Sequence, residues 1–382
     1  MRKSIIVSEY VSFGHPDKIA DQISDALLDE FIKVDKNCKA GIEVLIKDNI
    51  VVVGGEVKCD GFINTEHIVK DVVSSINFPS NHNLNFENIK VINLIGKQSP
   101  EINKGVEQSG GIIGAGDQGF MVGFASNETP NYLPLGVYLS KKICEHIAKF
   151  RSGIGPDVKT QVIVDYTKKT PKVKHILVST MHQDENIDEI RNIVQDVILT
   201  NEKNFICQEI FVEQIKNNLD LVIDVNPCGV WRIGGPISDC GVTGRKIVVD
   251  QFGGYANVGG GCLHGKDSSK VDRSAAYMSR YIAKNIVASG IANTCKVTLS
   301  YMIGVSEPCS IDIELDNENI QIETLKREIK QHIDLTPYGI QKRFDMLNPI
   351  FRDTAILGHY GVDKYNWEQL DLVELFKGLF NS

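Results

Sequence analysis

The sequence predicts an α+β fold of three topologically similar domains, each a mixed β-sheet with helices on one face. Two observations carry this. The order strand, helix, β-hairpin, helix occurs three times along the 382 residues. The hairpin strands alternate in polarity, whereas the segments between them repeat apolar residues at helical spacing. Sequence identity between the copies is negligible, so the repeat is one of topology.

The first copy runs through a strand at 4–11, a helix at 16–34, a hairpin at 41–47 and 50–58, and a helix at 65–76. Pro16 suits a first helical turn, where its missing N–H costs nothing, and Gly14 permits a sharp entry. Ile19, Ile23, Ala26, Leu27 and Phe31 form the apolar face of that helix. The second copy has a strand at 120–126, a helix near 134–150, a hairpin at 160–166 and 173–181, and a helix near 187–199. The third is expected as a strand at 246–252, a helix at 271–289, a hairpin at 295–305 and 309–315, and a helix near 322–333. Strands at 89–95 and 221–225 close the first two copies, and a tail with a short amphipathic helix ending near Phe380 follows the third.

Bulk properties exclude several classes. A formal net charge of −8 argues against a general nucleic-acid or acidic-membrane binder. No apolar run approaches the ~18 residues of a membrane span, and nothing at the start of the sequence resembles a signal peptide. The nine cysteines lack any CxxC pair, which speaks against a disulfide framework or a structural zinc site and for a reducing, cytoplasmic setting.

The chemistry concentrates between Gly229 and Gly265, which holds 11 of the 33 glycines together with Asp239, Arg245, Lys246 and Asp250. Glycines let backbone N–H groups approach a ligand, and Arg and Lys supply charge for phosphates. The segment runs directly into Lys266-Asp267-Ser268-Ser269-Lys270-Val271-Asp272-Arg273. The combination reads as a polyphosphate–metal site rather than a plain glycine-rich loop. In the 16–34 helix, Asp17, Asp21, Asp25 and Asp29 fall at i, i+4, i+8 and i+12. Asp25 and Asp29 read as a solvated acidic face. Asp17, in the first turn beside His15, is placed either to hold Mg²⁺ or simply to satisfy the helix dipole.

Two motifs mislead. Gly114 to Gly119 matches G-x-G-x-x-G but precedes its strand instead of following one. Gly260 to Lys266 fits G-x₄-G-K, yet Asp267 stands where a P-loop needs Ser or Thr. The long polar stretch before Gly114 suggests a lid or a plain connector.

Gly14-His15-Pro16-Asp17-Lys18 through Ala26, Gly54-Gly55-Glu56, Ile95 to Pro100, Gly114 to Gly119, Gly234-Gly235-Pro236, Thr243-Gly244-Arg245-Lys246, Gly259-Gly260-Gly261 and Gly265 to Tyr277 together resemble the S-adenosylmethionine synthetase (methionine adenosyltransferase) family. They occur in the family's order over nearly the whole chain. The resemblance implies three domains around a pseudo-threefold axis, at 1–101, 112–229 and 230–382, with 97–110 as the gating loop and 102–111, largely within that loop, lying between the first two domains. It implies a homodimer with active sites between subunits, often paired into a tetramer. The implied reaction is attack of the methionine sulfur on C5′ of ATP, displacing triphosphate, which is then cleaved to pyrophosphate and phosphate.

By the same resemblance, His15, Lys159, Arg245, Lys246 and Lys266 are the catalytic cations on ATP, with His15 assisting departure of the C5′ oxygen. Asp117, Asp157, Val230, Trp231, Asp239 and Cys262 complete the ATP site, and Glu56, Gln98, Asp239 and Lys270 receive methionine. Asp17 and Asp272 are the ligands expected for two Mg²⁺, and Glu43 for K⁺. The chain departs from the family pattern at Phe13, at Val230-Trp231-Arg232 and at Cys262-Leu263-His264, where His264 is expected to add bulk and charge beside the phosphates. A non-catalytic nucleotide-binding relative and a P-loop-like phosphotransferase remain as alternative readings.

Overall fold

A computed structural model describes residues 4–79, 86–98, 114–149, 153–183 and 186–380. Leaving aside the shortest turns, the elements in chain order begin with β1 (Ile5–Val11), α1 (Pro16–Val34), β2 (Lys39–Lys47), β3 (Ile50–Lys58), α2 (Thr65–Ile76) and β4 (Lys90–Lys97). The second copy contains β5 (Gly119–Ser126), α3 (Leu135–Lys149), β6 (Ile154–Asp165), β7 (Lys172–His182), α4 (Ile187–Thr200) and β8 (Val222–Val225). The third contains β9 (Gly241–Val242), α5 (Ile247–Asp250), α6 (Val271–Ala288), β10 (Thr294–Tyr301), β11 (Ser310–Leu315) and α7 (Ile322–His332). The tail adds α8 (Pro337–Arg343), α9 (Phe351–Leu357) and α10 (Val373–Phe380).

The strands assemble as three mixed or antiparallel sheets in the orders β1-β6-β7-β8, β11-β10-β5 and β4-β3-β2-β9. No copy keeps its leading strand. β1 lies antiparallel to β6 of the second copy, with Ile5 opposite Asp165 and Val11 opposite Lys159. β5 lies antiparallel to β10 of the third. β9 pairs back onto β2 of the first, with Leu45 opposite Val242. The exchange is cyclic, and each sheet buries its inner face against one long helix: α3, α6 and α1 respectively.

One expected strand is absent. Residues 247–250 form the short helix α5, and the leading strand of the third copy is instead β9. A strand would send alternate side chains of 246–252 to opposite faces. A helical turn puts Lys246, Val249 and Asp250 on one side, where Lys246 reaches Asp17, Asp250 reaches Lys18 and Val249 is buried.

The carboxylate row of α1 is likewise buried rather than solvated. Each member accepts a backbone N–H from the third copy or the tail that follows it. Asp17 takes that of Val242 at 2.9 Å, Asp21 that of Gly244 at 2.8 Å and Asp25 that of Gly265 at 2.8 Å. Asp29 takes those of Phe351 and Arg352, both at 2.9 Å, capping α9 from outside. The row thus docks the glycine-rich segment and α9 onto α1. Gly265 is required at its turn: at φ +70° a Cβ would lie 1.9 Å from the carbonyl oxygen of Ile42.

Candidate active site

His15 is the N-cap of α1, its Nδ1 accepting the N–H of Asp17 at 3.2 Å. That bond assigns the ring proton to Nε2, which leaves a neutral donor facing outward. Burial, reinforced by the Lys246 ammonium, lowers the His15 pKa to about 4. Lys246, at the N-cap of α5, forms an ion pair with the buried Asp17. Lys159 projects from β6 with its ammonium 2.9 Å from Glu9 on β1. Lys159 and Asp239 both act electrostatically on His15.

Asp157, also on β6, is buried and accepts the N–H of Gly235 at 2.6 Å. Burial raises its pKa to about 7, and Asp239 and Asp17 push the same way. Trp231 is fixed beside this strand end through its backbone: its N–H meets His182 Nε2 at 3.1 Å, and its carbonyl accepts the N–H of His182 at 2.9 Å. Its indole N–H donates to Ile233. Val230 beside it is exposed. Arg245 remains at the surface, with one guanidinium N–H on the carbonyl of Cys240 at 3.2 Å.

A second ammonium–carboxylate pair forms in the segment after the glycines. Lys266 Nζ lies 2.5 Å from Asp272 Oδ2, and the other carboxylate oxygen accepts the N–H of Gly261 at 2.7 Å. Lys270 caps α6 and pairs with Asp267 at 2.8 Å. Asp267 is turned inward and also takes the N–H groups of Ala40 and Ser269, so it does not line a phosphate loop. The loop carrying Asp117 lies over this helix start, the N–H of Gly116 bonding the carbonyl of Ser269 at 3.2 Å.

Glu43 and Glu56 lie beside the second cluster, since Lys266 bridges Gly41 on β2 and Gly41 stands opposite Glu56 on β3. They lie on the outer face of the β4-β3-β2 sheet, opposite α1, in register with Gly54 and Gly41. Leu45, Ile92 and Leu94 share that face and are exposed, Leu94 to 63%. Gln98 follows β4 and bonds Val57 through its N–H. The remainder of the expected gating loop falls outside the described residues.

His264 departs from its expected position. It is 1% exposed and turns away from Lys266 into a buried network that the sequence reading did not foresee. Its Nδ1 lies 2.6 Å from Asp25, and its Nε2 lies 3.2 Å from Asp250, 3.5 Å from Asp21, 3.3 Å from Lys18 and 3.1 Å from His359 Nε2. Arg273 grips Asp25 with contacts of 2.7 and 2.9 Å. Cys262, whose thiol burial pushes up, faces the carbonyl of His264. The i, i+4 aspartate row was the one sequence signal of this network.

Comparison with known proteins accounts for the whole chain. Profiles of the N-terminal, central and C-terminal domains of S-adenosylmethionine synthetase match residues 3–100, 112–231 and 233–369. The S-adenosylmethionine synthase of Mesoplasma florum is 41% identical over 386 residues, covering 99% of this chain and 100% of the relative. That of Mycoplasma capricolum is 41% identical over 387 residues, covering 99% and 97%. A solved structure described as an unusual S-adenosylmethionine synthetase from Campylobacter jejuni superposes with a TM-score of 0.88 at 35% identity, over 98% of this chain and 99% of that one.

Proposed function

The chain belongs to the S-adenosylmethionine synthetase family, and from that premise we propose how its residues divide the work of making S-adenosylmethionine from ATP and methionine. The thioether sulfur is already nucleophilic, so no general base is called for. The barrier lies in expelling a polyanionic triphosphate, and preorganised positive charge is the main lever on such a step.

The observation that carries the reading is the pairing of Lys246 with Asp17 and of Lys266 with Asp272. Each pair is a carboxylate held by a backbone N–H and matched to an ammonium. Phosphate takes the ammonium of each pair, and the released carboxylate becomes a hard oxygen ligand. One or two carboxylates plus substrate phosphates is the donor set Mg²⁺ ordinarily takes, so Asp17 and Asp272 fit the two ions the family implies. Mg²⁺ held by Asp17 and Asp272 would supply charge neutralisation for the departing phosphates. Lys159 and Arg245 add charge from the rim. His15 meets the C5′ oxygen as a neutral Nε2–H donor, stabilising negative charge as the bond breaks. Asp157, Asp117, Val230, Trp231 and Cys262 surround the nucleoside, with the indole face available for stacking on adenine. Asp239, Gln98 and Lys270 receive methionine.

Glu43 and Glu56 fit this scheme through a second copy of the chain. They sit on an outer sheet face whose exposed Leu45, Ile92 and Leu94 form an apolar surface; Ile5, Val7 and Val222 are exposed in the β1-β6-β7-β8 sheet. Pairing of two copies across these faces buries that surface and carries Glu56, and Glu43 with its K⁺, to a site between subunits. Glu43 is one carboxylate of the several oxygens K⁺ needs, so the other ligands come from across that interface. No helix among the described residues is long and apolar enough to cross a membrane, and we assign the enzyme to the cytoplasm.

The test is incubation with ATP, Mg²⁺ and K⁺, with and without methionine. Sulfonium product, pyrophosphate and phosphate forming together only when methionine is present supports the proposal. Phosphate release indifferent to methionine, or nucleotide binding without turnover, overturns it.

A further inference from the structure

The buried network around His264 has a specific arrangement. Asp250 closes α5, the helix that Lys246 caps at its other end. His264 lies two residues before Lys266, in the stretch anchored by the Gly265 carbonyl on Ile42 and the Gly265 N–H on Asp25. The imidazole therefore touches the segment that presents Lys246 through Asp250. Its own backbone belongs to the segment that presents Lys266. Its Nδ1 engages α1 at Asp25, eight residues after Asp17.

Both ring nitrogens face oxygens. Nδ1 meets Asp25 at 2.6 Å; Nε2 looks toward Asp250 at 3.2 Å and Asp21 at 3.5 Å. A neutral ring could accept from the Lys18 ammonium at 3.3 Å or from His359 at 3.1 Å, but it would leave three buried carboxylates facing two cations in a space closed to water. With Asp21, Asp25 and Asp250 ionised and Lys18 and Arg273 charged, one more positive charge makes the cluster neutral.

We propose that His264 is a positioning residue for the triphosphate site: as a buried imidazolium it clamps the Lys246 segment, the Lys266 segment and α1 to one another. The two ammonium groups are thereby held at one spacing before ATP arrives, and binding does not have to order them. This deepens the proposed function and rests on its assignment of Lys246 and Lys266 to phosphate.

The groups facing the ring are Lys18, Asp21 and Asp25 on α1, Asp250 on α5, Arg273 and Tyr277 on α6, His359 before α10, and Cys262 on its own segment. The carboxylates raise the His264 pKa to about 9 against the pull of burial. Burial drives His359 well down, so it stays neutral, its Nδ1 against the Tyr277 hydroxyl at 2.8 Å. Asp21 competes for the proton, because burial raises its carboxyl. The Gly244 N–H and the Lys18 ammonium at 3.1 Å both favour its ionised form.

Asp250, His264 and His359 bring ligand atoms within 4.8 Å of one another, a spacing a transition metal also accepts. The Lys18 ammonium, bonded to Asp250 and 3.3 Å from His264 Nε2, is the cation already in that space.

A raised folded-state pKa contributes stability that is complete below the unfolded value of about 6.5 and is lost as pH rises through the folded one. Thermal unfolding of the ligand-free protein should therefore show a falling midpoint between pH 7 and pH 10. His264→Gln should lack this fall, whereas Asp21→Asn should keep it, moved to lower pH. At pH 7.5, His264→Gln should raise KM for ATP about tenfold, roughly 1.4 kcal/mol, with KM for methionine within twofold. His264→Ser serves as a second variant if the glutamine does not fold.

Wild-type unfolding without the alkaline fall, its loss in Asp21→Asn rather than in the His264 variants, or an unchanged KM for ATP overturns the clamp. So does one equivalent of transition metal in the purified protein that a His264 variant loses. The unfolding arm needs no substrate, so a failure of the clamp is distinguishable from a failure of the proposed reaction.

Discussion

The ammonium of Lys266 rests 2.5 Å from the carboxylate of Asp272, whose second oxygen is held by the N–H of Gly261 at 2.7 Å. If this pair opens to take phosphate on one side and Mg²⁺ on the other, the two residues fail differently. Lys266→Ala should lower kcat by about 10²–10³, the scale for losing one preorganised electrostatic contact in a transition state. Asp272→Asn should instead raise the Mg²⁺ concentration for half-maximal activity tenfold or more. A Mg²⁺ titration of both variants checks this, and identical titrations would sink the division of roles.

His15→Asn tests the neutral donor. Asparagine retains an acceptor for the N-cap bond to Asp17 but moves the outward N–H. Turnover should fall by about two orders of magnitude, roughly 2.7 kcal/mol in the barrier, while ATP affinity measured by calorimetry changes less than threefold. Equal losses in both would leave His15 a binding residue only.

Asp157 carries a pH prediction. Its pKa is raised to about 7 by burial, so its contribution to stability is complete below the ordinary carboxylate range and lost as pH rises through 7. Asp157→Asn supplies a permanently neutral side chain that still accepts the Gly235 N–H. Its unfolding midpoint should exceed the wild type's at pH 8.5, with the gap closing as pH falls toward the ordinary carboxylate range, while ATP turnover falls. Parallel midpoints across that range would refute the cause assigned here.

Asp29 is the counter-case, a carboxylate of the same row with no place at the site. Asp29→Ala leaves the Phe351 and Arg352 N–H groups without their acceptor. The expected cost is about 1–3 kcal/mol of stability, read by urea unfolding, with KM for ATP unchanged. A changed KM with intact stability would mean that α9 is coupled to the substrate.

The legible parts of the fold were those set by local pattern. The bounds of α1 and α2 follow from Pro16, from apolar spacing and from cap residues within the same turn, such as Asn64 on the N–H of His67. What could not be read was pairing across distance. Alternation says that β1 is a strand but not that its partner is Lys159's strand, 148 residues on from Val11. The Asp25 and Asp29 environments escaped for the same reason: their partners Gly265, Arg273 and Phe351 lie more than 200 residues away. Ile247-Val248-Val249 has strand propensity, yet the ion pairs of Lys246 and Asp250 with α1 override it. The motifs named the charged residues of the site; they could not reveal that the lysines and aspartates pair with one another, or that His264 looks inward.

The cyclic exchange of leading strands makes the molecule indivisible. A fragment ending before β5 would hold a hairpin sheet lacking β9 and a strand, β1, with no sheet to join; any other cut orphans a strand in the same way. The three-part sequence repeat therefore does not describe three parts that can be expressed, shuffled or lost one at a time. Folding has to wait for the chain's far end to return to its beginning, which favours a slow, all-or-none event over stepwise assembly. Nicking the chain between copies and then trying to separate the pieces without denaturant is the direct way to see that bond.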